Sequence, residues 1–277
     1  AIVAFLDRKL EQIDRFIAAK QRLIALLKEQ KTALINRAVT KGLNPDAPMK
    51  DSGIDWLGDI PAHWEVKTNG KLFRQRVEKG IEGVPLLEVS LNTGVNVENG
   101  SADRKKWTIA EVEKYKLARK GDIAFNMMRM WQGAVGVVPV DGLTSPAYIV
   151  AVPYEGVNSD YYRLLFRTDD YKTEINRYSK GIVSDRNRLY WDSFKQMASL
   201  FPPPEEQQEI LDYVDAESRK IDGGIKTAER EIELIQEFRT TLISDAVTGR
   251  TGYPNPKRLN NSSKNAVDRE NGGWGRQ

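Results

Sequence analysis

The chain has 277 residues, 40% hydrophobic and 29% charged, which fits a globular protein of one or two domains. Lys and Arg number 42 against 39 Asp and Glu, so bulk charge does not mark a nucleic-acid binder. The absence of cysteine excludes disulfides, Cys-rich zinc sites and a thiol nucleophile, and a single histidine, His63, excludes a two-His metal site within one chain. No apolar run approaches ~18 residues and no signal pattern opens the chain, so a cytoplasmic protein with no membrane span is expected.

The first segment, residues 1–48, reads as one long helix. Leu6, Leu10, Ile13, Ile17, Lys20, Ile24, Leu27, Lys31, Leu34 and Ala38 follow alternating spacings of four and three. A 3.5-residue period held over four heptads is a coiled-coil seam. About 40 residues at 1.5 Å each give a rod of about 60 Å. Lys41-Gly42 then supplies a C-cap.

Residues 49–200 change texture. Strand-like runs at 85–90, 122–126, 133–138 and 147–152 alternate with Gly and Pro punctuation. Residues 108–116 and 159–169 read as short helices. This segment is expected to be a mixed α/β domain with its own core.

Residues 201–250 return to helix. Pro202-Pro203-Pro204-Glu205-Glu206 is a start signal. Val214, Ser218, Ile221, Ile225, Ala228, Ile232, Ile235, Arg239, Leu242 and Ala246 repeat the seam. A shift of 208 places lays residues 1–40 on 209–248 without a gap, with 15 identical pairs. Lys31 and Arg239 take equivalent seam positions, where a cation either snorkels or sets register. Residues 1–48 carry nine basic and five acidic side chains, and residues 201–250 carry six and twelve. Opposite charge favours pairing of the first helix with the second. Residues 251–277 lack any period and read as a polar, mobile tail. The expected fold class is α+β: one mixed α/β domain flanked by two long, pairing helices.

Catalytic signatures are missing. There is no Gly-x-Gly-x-x-Gly, phosphate loop, Gly-x-Ser-x-Gly or Asn/Asp-Pro-Pro-Tyr. Asp122 and Asp141 stand apart and read as solvated loop residues rather than metal ligands, so no metal site is expected. A metal nuclease built on Asp122 is the weakest reading. His63, in Pro61-Ala62-His63-Trp64, reads as a packing or turn residue.

What remains suits nucleic acid. Arg104, Lys105 and Lys106 stand beside Trp107. The run 180–191 combines Lys180, Ser184, Arg186, Asn187, Arg188 and Tyr190 around Gly181, and Met128-Arg129-Met130-Trp131-Gln132 adds Arg129 and Gln132. Arg can grip guanine and Asn can grip adenine through two hydrogen bonds, while Lys and Ser suit phosphates. A solvated basic loop is the plain alternative.

Four runs together resemble the specificity (S) subunit of Type I DNA restriction–modification enzymes. They are residues 49–66 (Met-Lys-Asp-Ser-Gly-Ile-Asp-Trp-Leu-Gly-Asp-Ile-Pro-Ala-His-Trp-Glu-Val), residues 120–131 (Lys-Gly-Asp-Ile-Ala-Phe-Asn-Met-Met-Arg-Met-Trp), Gly142-Leu143-Thr144-Ser145-Pro146-Ala147-Tyr148, and the Phe201-Pro202-Pro203-Pro204-Glu205-Glu206-Gln207-Gln208-Glu209-Ile210 lead. With the repeated helices they span residues 1–253 in the family's order.

The resemblance implies that 49–200 is a target recognition domain and that the helices 1–48 and 201–250 pair as an antiparallel coiled coil, the spacer between readers. The family has two recognition domains and this chain has one, so it looks like half of such a subunit, reading one half of a bipartite target. The implied partners are double-stranded DNA, modification (methyltransferase) subunits and a restriction (motor/nuclease) subunit. A homodimer would restore two readers. The resemblance implies no catalysis and no bound cofactor here, with S-adenosylmethionine, ATP and magnesium on partner subunits. Arg15, Phe16, Lys31, Phe238 and Arg239 are candidate subunit contacts, although Phe16 and Phe238 could simply widen the helical core. The alternative is an interaction protein that dimerises or sequesters modification subunits through its coiled coil without reading sequence.

Overall fold

The computed structural model describes residues 2–98, 109–181 and 187–248. Helix α1 (Ile2–Lys41) leads into β1 (Met49–Asp51), β2 (Asp59–Pro61), β3 (Glu65–Thr68), α2 (Asn69–Leu72) and β4 (Phe73–Gln75). Next come β5 (Leu86–Ser90), β6 (Gly94–Val97), α3 (Ile109–Val112), β7 (Lys116–Ala118), β8 (Ile123–Asn126), β9 (Val135–Val137), β10 (Gly142–Thr144) and β11 (Tyr148–Pro153). The order ends with α4 (Ser159–Leu165), α5 (Asp169–Tyr178), α6 (Trp191–Phe194), β12 (Ala198–Phe201) and α7 (Pro204–Thr248). The fold is α+β. Contacts group the chain into two units, one of residues up to 29 with those from 221 onward, the other of residues 30–220.

The first unit is a pair of helices. Lys20 pairs with Glu231 and Asp14 with Arg239, and Leu27 packs 3.5 Å from the Cβ position of Gly224. Partner numbers fall on one helix as they rise on the other, so α1 and α7 run antiparallel. Every expected seam residue of this unit is partly or fully buried, with Ile13, Ile221 and Ala228 the deepest. Arg239 resolves its own seam position by reaching Asp14 across the pair at 3.0 Å. That pair is half-exposed, so it fixes register more than it stabilises.

The second unit is layered. The sheet β4-β11-β8-β9 lies in the middle, and the sheet β6-β5-β10-β7 covers one face of it. Alternate residues of the middle strands enter two cores. Ala124 and Val150 join Leu87, Val95, Ala118 and Val138 between the sheets. Ile123, Phe125, Ile149 and Ala151 join an aromatic core with Phe73, Tyr162, Phe166, Tyr171 and Phe194 beneath α4, α5 and α6. The sheets approach so closely that a Cβ on Gly136 would lie 2.5 Å from the Val95 nitrogen. Leu34, Ile35, Ala38 and Val39 of α1 and Ile210, Leu211 and Val214 of α7 belong to or pack on the aromatic core. The division between units therefore falls inside both helices and not at their ends.

Two helices differ from expectation. Residue 108 lies outside the described residues. The helix expected over 108–116 is only the turn α3: the chain folds back at Tyr115, and Lys116 starts β7 against Thr144. The helix expected over 159–169 ends at Leu165, and Thr168 caps a further helix, α5, by accepting from the Tyr171 amide.

The opening motif and the Pro-rich lead form the joint where both long helices enter this unit. Met49 pairs with Pro61 in β1–β2, and Lys41 at the end of α1 donates to the Leu57 and Asp59 carbonyls. Gly42 caps α1 at φ 73°, its Cβ position 3.1 Å from Glu206 and 3.3 Å from Trp64. Glu206, in the first turn of α7, accepts from Trp64 Nε1 at 2.8 Å and contacts His63 Nε2 at 2.7 Å. Buried Gln207 donates to the Gly156 and Pro202 carbonyls and accepts from the Asn158 amide. The turn role expected of His63 is thus extended by a carboxylate partner 143 residues away.

Candidate nucleic-acid interface

Two loops meet at one end of the middle sheet. The first joins β8 to β9. Asn126 Oδ1 accepts from the Met128 amide at 3.0 Å, a 3₁₀ turn covers Met130–Gln132, and Gly133 closes the loop at φ 95°. Met130 is fully buried, while Arg129 and Gln132 are exposed. The second loop follows α5. Lys180 and Arg188 exchange two backbone hydrogen bonds of 3.0 Å, an antiparallel bridge that closes the loop. The Leu189 amide donates to the Met127 carbonyl at 2.9 Å and ties the loops together. Leu189 is buried between exposed Arg188 and Tyr190, the alternation of an extended segment.

The pairing of charge separates the cations. Lys172, Arg177 and Lys195 each have a carboxylate nearby in sequence: Asp169, Glu174 and Asp192, at 2.6, 2.9 and 2.7 Å. Asp192 is held below the usual carboxylate range, first by the hydrogen bond from Lys195, with the charge of Lys180 adding a smaller part. Arg129, Lys180 and Arg188 make no ion pair among the described residues. Among the described residues of the two loops these three cations stay exposed, with Lys180 in the field of Asp192.

The structure brings together Arg129, Gln132, Lys180, Asn187, Arg188 and Tyr190. Arg104, Lys105, Lys106, Ser184 and Arg186 lie outside the described residues. Sequence reading missed Asn176 of α5, whose Oδ1 accepts from Asn187 Nδ2 at 2.9 Å. The signal for α5 was present in Thr168, the acids that follow it, and the spacing of Tyr171, Ile175 and Tyr178.

Of the candidate subunit contacts, Arg15 pairs along its own helix with Glu11 at 2.5 Å. Phe16 and Phe238 are exposed at 39% and 52%. Heptad positions put both on one flank of the pair, which Leu23, Leu26 and Leu234 extend as exposed apolar residues. Both rings are partly covered and partly exposed at the rim of the pair. Lys31 is partly buried in the other unit.

Asp122 is not a solvated loop residue. It is 3% exposed and takes two hydrogen bonds from Arg76, at 2.7 and 3.1 Å, and one from the Arg119 amide at 2.8 Å. The hydrogen bond to Asp122 holds the Arg76 guanidinium above its ordinary pKa, against the opposing effect of burial. Such a carboxylate is already fully used. Asp141 stays an exposed loop residue, one oxygen accepting from the Lys120 amide at 2.8 Å. Among the described residues no group of three His, Asp or Glu could hold a metal ion, and no helix is long and apolar enough to cross a membrane.

No protein-family model and no curated protein matches the sequence. Solved structures do match. One is a chain from work on complex assembly and conformational transition of the type I R-M system, with a TM-score of 0.58 and 15% identity. Another is the HsdS subunit from Thermoanaerobacter tengcongensis, at 0.52 and 13%. The chain has the HsdS fold. The match covers 88% of this chain but only 57% and 56% of those two. It thus spans little more than half the length of the HsdS-fold proteins it resembles.

Proposed function

We propose that this chain is a non-catalytic DNA-recognition subunit of a Type I restriction–modification system, and that its α/β unit reads one half of a bipartite target. The carrying observation is the convergence of two loops, joined from Leu189 to Met127, that expose Arg129, Lys180 and Arg188 with no ion pair among the described residues. Phosphates take such cations, and Arg188, Asn187 and Gln132 offer the donors and acceptors that base edges require. In this reading double-stranded DNA binds the loops, and the modification and restriction subunits dock on the helices. S-adenosylmethionine, ATP and magnesium belong to those partners. Self-association into a homodimer would supply the second reader.

The test is selection from a randomised duplex pool, with and without modification subunits. One sequence should be enriched, and Arg188→Ala should weaken binding to it by about 1–3 kcal/mol. Enrichment of no sequence even with modification subunits present would refute the reading. A second reading draws on the exposed Phe16, Leu23, Leu26, Leu234 and Phe238 flank: the chain binds or sequesters modification subunits without selecting DNA. The same selection separates the two.

A further inference from the structure

The β8–β9 loop contains one residue whose placement the cations do not explain. Three methionines, Met127, Met128 and Met130, fall within four positions there. Met127 is partly buried and Met130 fully buried, whereas Met128 points outward and is 40% exposed. Its backbone is held on both sides by side chains. The Met128 amide donates to Asn126 Oδ1 at 3.0 Å, and its carbonyl accepts from Trp131 Nε1 at 3.0 Å. The exposed part of this apolar side chain, beside exposed Arg129, still has surface to cover in the free chain.

We propose that Met128 is a specificity-determining residue that contacts the C5-methyl group of a thymine in the major groove. The inference rests on the DNA reading above. In the major groove the one apolar feature of the base edges is that methyl, and an unbranched thioether adapts its shape to it. The two hydrogen bonds fix where the side chain starts. Arg129 and Lys180 supply the phosphate contacts that would bring the tip to the bases.

The experiment uses the full chain, with modification subunits where binding needs them, and the duplex it selects. Each thymine is replaced in turn by deoxyuridine, which removes one methyl and no hydrogen-bonding group. At one position the wild-type chain should lose about fourfold in affinity, the weight of one buried methyl. At that position Met128→Ala should bind both duplexes equally, and Met128→Leu should keep the sensitivity. Indifference of the wild-type chain to every replacement overturns the assignment, as does an undiminished loss in Met128→Ala. Selection of no duplex overturns the DNA reading itself and is seen before any thymine is replaced.

Discussion

Residues 30–220 and the helical pair of residues up to 29 with those from 221 onward bury apolar surface in different ways. In the α/β unit, Phe73, Phe125, Phe166, Tyr171 and Phe194 are all at 1% exposure or less, and their rings meet edge to face or tilted at 4.8–6.2 Å. Among the described residues of the helical pair only Ile13, Ile221 and Ala228 are buried, at 4%, 8% and 2% exposure, and the rest of the seam keeps partial contact with water. A two-helix seam has solvent on both flanks, so no side chain there is enclosed on all sides. The α/β unit can therefore hold loops in fixed positions, while the helical pair spreads a modest energy along many turns and leaves a flank free.

Truncations should expose this difference. Phe166→Ala removes a ring that touches Phe73, Tyr162, Tyr171 and Phe194, and should destabilise the α/β unit by about 3–5 kcal/mol in denaturant unfolding followed by near-ultraviolet circular dichroism. Ile13→Ala should cost less, about 2 kcal/mol, because neighbouring side chains and water partly fill the gap. Its effect should appear as faster amide exchange in α1 and α7, with the aromatic signal unchanged. The smallest effect belongs to Asp14 and Arg239. A double-mutant cycle of the two alanine variants should give a coupling of about 0.2–1 kcal/mol, reduced by salt, as expected of a half-exposed pair. Equal costs for Phe166→Ala and Ile13→Ala would break the comparison.

Much of the architecture was legible in the residues. The heptads gave the helices and their seam, and Gly42 and Pro204 marked their joints with the domain. The strand runs at 85–90, 122–126, 133–138 and 147–152 each contain a strand. Two helices were misplaced because local capping and turn chemistry outweighed the apolar pattern, at Thr168 and Tyr115. The candidate site was legible by residue type only. Arg129 and Arg188 lie 59 positions apart, and nothing local says that Met127 and Leu189 share a hydrogen bond. Nor could composition tell Arg188, with no ion pair among the described residues, from Lys195, which Asp192 neutralises.

The sequence by itself determined the fold class and the two long helices with their apolar seams, because heptad periodicity and capping act between residues close in the chain or in a repeating pattern. Tertiary structure alone decided which distant charges pair. It turned Asp122 from a candidate ligand into the buried partner of Arg76, and Glu206 into the acceptor that binds Trp64 to α7. It also tied the loop of Met128 and Arg129 to that of Arg188 through the hydrogen bond from Leu189 to Met127. Those assignments depend on which distant groups meet in a low-dielectric interior, where an ion or an amide must find its partner.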